Sequence, residues 1–119
     1  MGIGEEKSFA FAVRIVKAMK KVREQYREYD LTRQLVRSGT SIGANIGEAQ
    51  KAQSTKDFIS KLSIASKEAE EARYWIRLLI ATEYLEEAIG NVLLADADEL
   101  IRILTSSVKT AQKKENLNT

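Results

Sequence analysis

Gly39, Gly43 and Gly47 recur every fourth residue inside a stretch, Leu31 to Gln53, whose apolar residues otherwise keep a helical period. Leu31, Leu35, Ile42, Ile46 and Ala49 fall at steps that place them on one helical face, with Ser38 and Asn45 on the same stripe. Each glycine costs a helix about 1 kcal/mol relative to alanine. A helix that carries three of them needs an offset, and the usual one is a second backbone lying close against the bare ridge. A loop is the alternative, because Ser-Gly-Thr-Ser-Ile-Gly is also turn-like in composition. The apolar stripe continues in register on both sides of the glycines, which favours the helix.

The remaining chain supports a helical neighbour for that ridge. The 119 residues contain no proline, helix formers dominate, and the turn clusters that punctuate strands are missing. The pattern predicts one all-α domain over residues 1–119, an antiparallel up-and-down four-helix bundle with helices at about 7–27, 31–53, 55–82 and 92–113. In the first helix, Phe9, Ala12, Val13, Val16, Met19 and Tyr26 form the expected inward stripe. Phe11, Ile15, Ala18 and Val22 widen it well beyond the ~100° that one neighbour requires, so Phe11 and Val22 are candidates for a subunit interface. Asp30 or Thr32 is available to cap the second helix and Ser54 to cap the third, with Asp57 three residues on. Phe58, Leu62, Ala65, Ala69, Ala72, Ile76, Leu79 and Ile80 line the third helix. Ile64, Trp75 and Leu78 form a second apolar group on another side, and join the interface candidates. Residues 83–91 read as a connector ended by Gly90-Asn91. Leu93, Ala97, Leu100, Ile101, Leu104, Val108 and Ala111 face inward from the fourth helix.

Chemistry is sparse. The chain has no histidine and no cysteine, which removes the commonest general base, the commonest metal ligand and every thiolate site. No phosphate-loop motif is present. Helical phase turns the acidic clusters Glu68-Glu70-Glu71 and Asp96-Asp98-Glu99 largely outward, and the histidines that complete bundle di-iron sites are absent. The expectation is therefore a non-enzymatic protein with no metal and no cofactor. No apolar run is long enough to span a membrane, and acids stand where a signal peptide carries its bases, so the expected location is the cytoplasm.

The charge distribution is the one functional lead. Between Arg14 and Arg37 there are eight bases against three acids, while from Ser60 to Leu104 nine acids face five bases. Arg14, Lys17, Lys20, Lys21 and Arg27 make a basic stripe along the first helix, which reads either as an ordinary solvated face or as the footprint of nucleic-acid backbone binding. No stacking aromatics interleave these bases, so base-specific reading of single strands is not expected. A protein-interaction adaptor, docking a partner on the acidic third helix or the glycine ridge, is the other reading.

Gln34-Leu35-Val36-Arg37-Ser38, followed by Thr40-Ser41-Ile42-Gly43-Ala44-Asn45-Ile46-Gly47-Glu48, resembles the signature of four-helix-bundle proteins related to the 23S ribosomal RNA intervening-sequence protein. The runs Lys56-Asp57-Phe58-Ile59, Leu62-Ser63-Ile64-Ala65, Glu68-Ala69 and Arg73-Tyr74-Trp75 are similar to that family's third helix. The resemblance makes Arg37, Gly39, Gly43, Asn45, Gly47 and Glu48 motif positions, with smallness what matters at the glycines. It implies a homo-oligomer, a pentamer, since relatives include accessory variability determinant proteins, pentameric barrels that bind nucleic acid and a reverse transcriptase. In a ring, a weak basic stripe is repeated and multiplied. RNA or DNA, other copies of the chain, and a partner protein are thus the expected partners.

Overall fold

A computed structural model describes residues 2–117. Four helices follow one another: α1 (Ile3–Tyr26), α2 (Asp30–Gln50), α3 (Thr55–Ala81) and α4 (Glu87–Leu117). Each packs on its neighbours in sequence, α4 closes back on α1, and the α1–α4 contact is the sparsest of the four. The result is an up-and-down bundle measuring 54 × 22 × 20 Å.

The core is a column of residues at helical spacing: Phe11, Ile15, Met19 and Val22 from α1; Leu35, Ile42, Ile46 and Ala49 from α2. From α3 come Leu62, Ala65, Ala69, Ala72, Ile76 and Leu79, and from α4 Leu93, Ala97, Leu100 and Leu104. Met19 faces inward as expected, but the rest of α1 is rotated away from the expected phase. Phe11 is 1% exposed and Val22 3%, so both belong to the core of the bundle and present almost no surface to a second subunit. Phe9, Val13, Val16 and Tyr26, expected to point inward, are exposed instead. The glycines of α2 decide the matter. A Cβ on Gly39 would lie 3.1 Å from Ile15 Cγ2, and one on Gly43 would lie 3.2 Å from Ser8 Oγ. The Ser8–Ile15 side of α1 is therefore the side that fits the ridge, and it carries Phe11, Met19 and Val22 inward with it. Gly47 differs, since a Cβ there would meet nothing within 4 Å. Close approach accounts for two of the three glycines.

Helix ends follow local chemistry. Ser54 Oγ accepts a hydrogen bond from the Asp57 amide at 3.0 Å and caps α3 as expected. At α2 the cap is neither Asp30 nor Thr32. The Glu28 carboxylate accepts from the amides of Asp30, Leu31 and Thr32 at 3.1, 3.0 and 2.9 Å. Thr32 Oγ1 donates to the Glu28 carbonyl at 2.9 Å and accepts from Arg23 Nε at 2.8 Å. Burial pushes the Glu28 carboxyl pKa up, but the three amides outweigh it and hold the group below its ordinary value. α4 begins at Glu87, not near Val92, so Gly90 lies inside the helix. Its hydrogen atom faces Ile80, whose Cδ1 would come within contact of any Cβ there. The glycine marks a tight packing site that resembles a turn signal.

Candidate nucleic-acid interface

The outer side of α1, opposite the core column, presents the bases. Arg14, Lys17, Lys20, Lys21 and Arg27 are all exposed, and at 1.5 Å per residue they extend over roughly 20 Å of helix. They are not equivalent. Arg14 Nη1 donates to Asp96 Oδ2 at 2.6 Å across to α4, so part of its charge is already answered. Among the described residues no ion pair forms at Lys17, Lys20, Lys21 or Arg27. Lys17 and Lys21 turn toward the start of α4, where with Arg14 they edge an open groove of about 680 Å³. Lys20 and Arg27 lie outside that groove. Arg27 caps α1 in the left-handed conformation, φ 53°, its amide donating to the Arg23 carbonyl at 2.9 Å. Glu24 shares the exposed side of α1 and weakens its field.

The family-motif positions of α2 form a structural set. Arg37 reaches across to α3, donating from Nη1 to Glu68 Oε2 at 3.0 Å and from Nη2 to Glu71 Oε2. The hydrogen bond to Glu71 raises the guanidinium pKa above its ordinary value, burial opposes that shift, and the charge of Glu68 adds to it. Trp75 Nε1 donates to the same Glu71 oxygen at 3.1 Å, tying the indole to the network. Ser38 Oγ donates to the Gln34 carbonyl at 3.0 Å and Asn45 Nδ2 to the Ser41 carbonyl at 2.9 Å, both within their own helix. Glu48 lies 3.8 Å from Lys61 of α3. These side chains leave no buried polar atom aimed at a ligand.

The acidic clusters behave in the same way. Asp96 and Glu99 pair with Arg14 and Lys7 of α1, and Asp98 pairs with Arg73 of α3 at 2.8 Å. Sequence phase marked them as solvated; Glu70 is exposed as expected, while Glu68, Glu71, Asp96, Asp98 and Glu99 are the acidic halves of ion pairs between helices. No grouping of three or more metal-binding side chains occurs among the described residues.

Of the remaining interface candidates, Ile64 is exposed, whereas Trp75 is half-buried against the core and Leu78 is half-buried. The large exposed apolar residues that reading by periodicity missed are Phe9 (68%), Val13 and Val16 (46%) on α1, and Ile89 and Val92 on α4. For the three on α1 the signal was the excess apolar arc of that helix, assigned to the wrong half.

A four-helix bundle whose polar residues knit helix to helix, with a row of exposed bases along α1 that are, Arg14 apart, without ion pairs among the described residues, is the class this geometry defines. The chain belongs to the 23S rRNA-intervening sequence protein family, which it matches over residues 5–106. It is similar to a crystal structure of a protein of unknown function from the S23 ribosomal protein family of Bacteroides thetaiotaomicron VPI-5482. That structure is 47% identical, with a TM-score of 0.88, over 90% of this chain and 99% of the other. No curated protein matches the chain significantly. No described helix is long and apolar enough to cross a membrane.

Proposed function

We propose that the chain is a non-enzymatic, self-associating cytoplasmic protein that binds nucleic-acid backbone along the outer side of α1. The observation that carries this reading is the row of exposed bases, of which Lys17, Lys20, Lys21 and Arg27 have no ion-pair partner among the described residues. Free ammonium and guanidinium groups on a rigid helix are what displacement of counterions from phosphates requires. The family's name attaches it to the intervening sequence of 23S rRNA, so structured RNA is the first probe. Self-association is supported by the exposed Phe9–Val13–Val16 stripe on α1 and by Ile64 on α3, apolar surface of the kind that subunit contacts cover; that the assembly is a pentameric ring rests on the family resemblance alone.

Binding measured by fluorescence anisotropy across a salt series tests the first part. Affinity should fall steeply with salt, and Lys17→Glu with Lys21→Glu should lower the slope of log K against log salt by about 2. A slope unchanged in that variant sinks the site. Light scattering after size exclusion tests the second part, and a monomer at all concentrations refutes it.

A further inference from the structure

The groove between α1 and the start of α4 has a second character that phosphate binding leaves unexplained. Its basic edge is Arg14, Lys17 and Lys21, but its floor and far wall are apolar, built from Val22, Leu93, Ile89 and Val92. Val22 and Leu93 are buried core residues seen from outside, whereas Ile89 is 41% and Val92 53% exposed. The groove exists because α1 and α4 touch least of the neighbouring helices, and because the residues on the two walls at this level, Ala18 and Ala88, are too small to close it. Exposed isoleucine and valine on a concave floor gain nothing from a phosphate chain. Tyr84, at one end of the groove, is engaged edge-on with Tyr26 at 5.2 Å and is not free to stack a base.

We infer that this groove is a docking site for an acidic amphipathic helix of a partner protein. Shape comes first. The α1 wall from Arg14 to Gln25 is roughly 16 Å long, about three turns of a helix laid alongside it. An extended peptide would bring unpaired amides and carbonyls onto an apolar floor, with no strand edge to satisfy them. A helix arrives with those bonds already made, and its apolar stripe fits between two helices as a third ridge. Charge comes second. Lys17 and Lys21 have no ion-pair partner among the described residues, and carboxylates flanking the incoming stripe complement them. Glu86, on the opposite wall, fixes which flank of the partner carries its acids. A convex, laterally uniform lipid surface matches neither the concavity nor this asymmetry.

The test is a fluorescein-labelled peptide of about 18 residues, five helical turns, with leucines at i, i+3, i+4 and i+7 and glutamates on the flanking positions. Titration of the intact protein should give saturable one-to-one binding, absent for a scrambled peptide of equal composition. Ile89→Ser with Val92→Ser removes the floor without altering charge, and should weaken the peptide by more than about tenfold while RNA binding stays unchanged. Lys17→Glu with Lys21→Glu should reverse the preference toward a peptide with lysine in place of glutamate. Equal binding of the scrambled peptide, no binding at all, or indifference to the serine variant overturns the inference. Loss in that variant of RNA binding, of anionic-vesicle binding or of subunit association overturns it too, naming nucleic acid, membrane or another copy as the occupant. Circular dichroism of each variant confirms that the bundle is retained.

Discussion

Replacing the α2 glycines one at a time by alanine should give effects of opposite sign along a single helix. At Gly47 a Cβ would meet nothing within 4 Å, so the substitution collects the full propensity gain of about 1 kcal/mol. For a chain of this size that corresponds to a rise in Tm of roughly 3–6 °C. At Gly39 the same gain is opposed. The new carbon would sit 3.1 and 3.2 Å from the two γ carbons of Ile15, a residue with no exposed surface. Ile15 cannot yield without shifting α1, and overpacking of this kind costs about 1–3 kcal/mol. Gly39→Ala should therefore leave the protein neutral to about 2 kcal/mol less stable. Gly43 falls between them, because its neighbour at 3.2 Å is the Ser8 hydroxyl, which can rotate if it gives up its bond to the Glu5 carbonyl. Urea unfolding followed by Trp75 fluorescence and by circular dichroism measures all three. The order Gly47→Ala most stable, then Gly43→Ala, then Gly39→Ala is the expected result. Equal gains at Gly39 and Gly47 would refute the claim that close approach of α1 is what the ridge serves.

Glu28→Gln should cost about 1–2 kcal/mol at neutral pH, the usual range for a lost helix cap. Because the folded pKa of Glu28 is lowered, its contribution is complete above the unfolded value and disappears as pH falls through the folded value, so the wild-type and variant stability curves should converge in acid. Phe11→Ala should cost about 3–5 kcal/mol, whereas Phe9→Ala should change unfolding of the subunit by only about 0.5 kcal/mol and instead lower the mass seen by light scattering; the reverse order would restore the opposite phase for α1. Arg27→Gly relieves a left-handed residue and should stabilise the fold by about 1 kcal/mol. If the α1 bases hold phosphate, the same change weakens RNA binding, and a variant that is both more stable and fully competent would remove Arg27 from the site.

The helical class and α2 and α3 to within a few residues are readable in the chain because periodicity is local. The phase of α1 is not. Phe9, Val13 and Val16 make as good a stripe as Phe11, Ile15 and Met19, and only the side chains opposite Gly39 and Gly43 distinguish them. Gly90 misled for a related reason, since a glycine that makes room for Ile80 has the same letter as one that ends a helix. Glu28 escaped notice because its long side chain bridges to amides two to four residues ahead, outside the usual capping pattern. The acids of α4 looked solvated because their partners stand far away in sequence; Lys7 and Glu99 are separated by 92 positions. As for the site, the bases of α1 were visible, but the groove beside them arises where two distant helices fail to close.

The ion pairs between helices bear on the handedness of the bundle. An up-and-down chain of four helices can turn either way around its axis, and both forms bury much the same apolar column. In the opposite hand each helix would present its flanks to exchanged neighbours. The flank of α1 with Lys7 and Arg14 would then meet the flank of α2 with Arg37, and the Glu68–Glu71 flank of α3 would meet Asp96 and Glu99 of α4. Attraction would become repulsion at both contacts. Exposed pairs contribute only about 0.2–1 kcal/mol each, too little to hold a fold together. The opposite hand would also turn the glycine flank of α2 away from Ile15 and Ser8 of α1, so the charge pattern and the close fit of that flank favour the same topology.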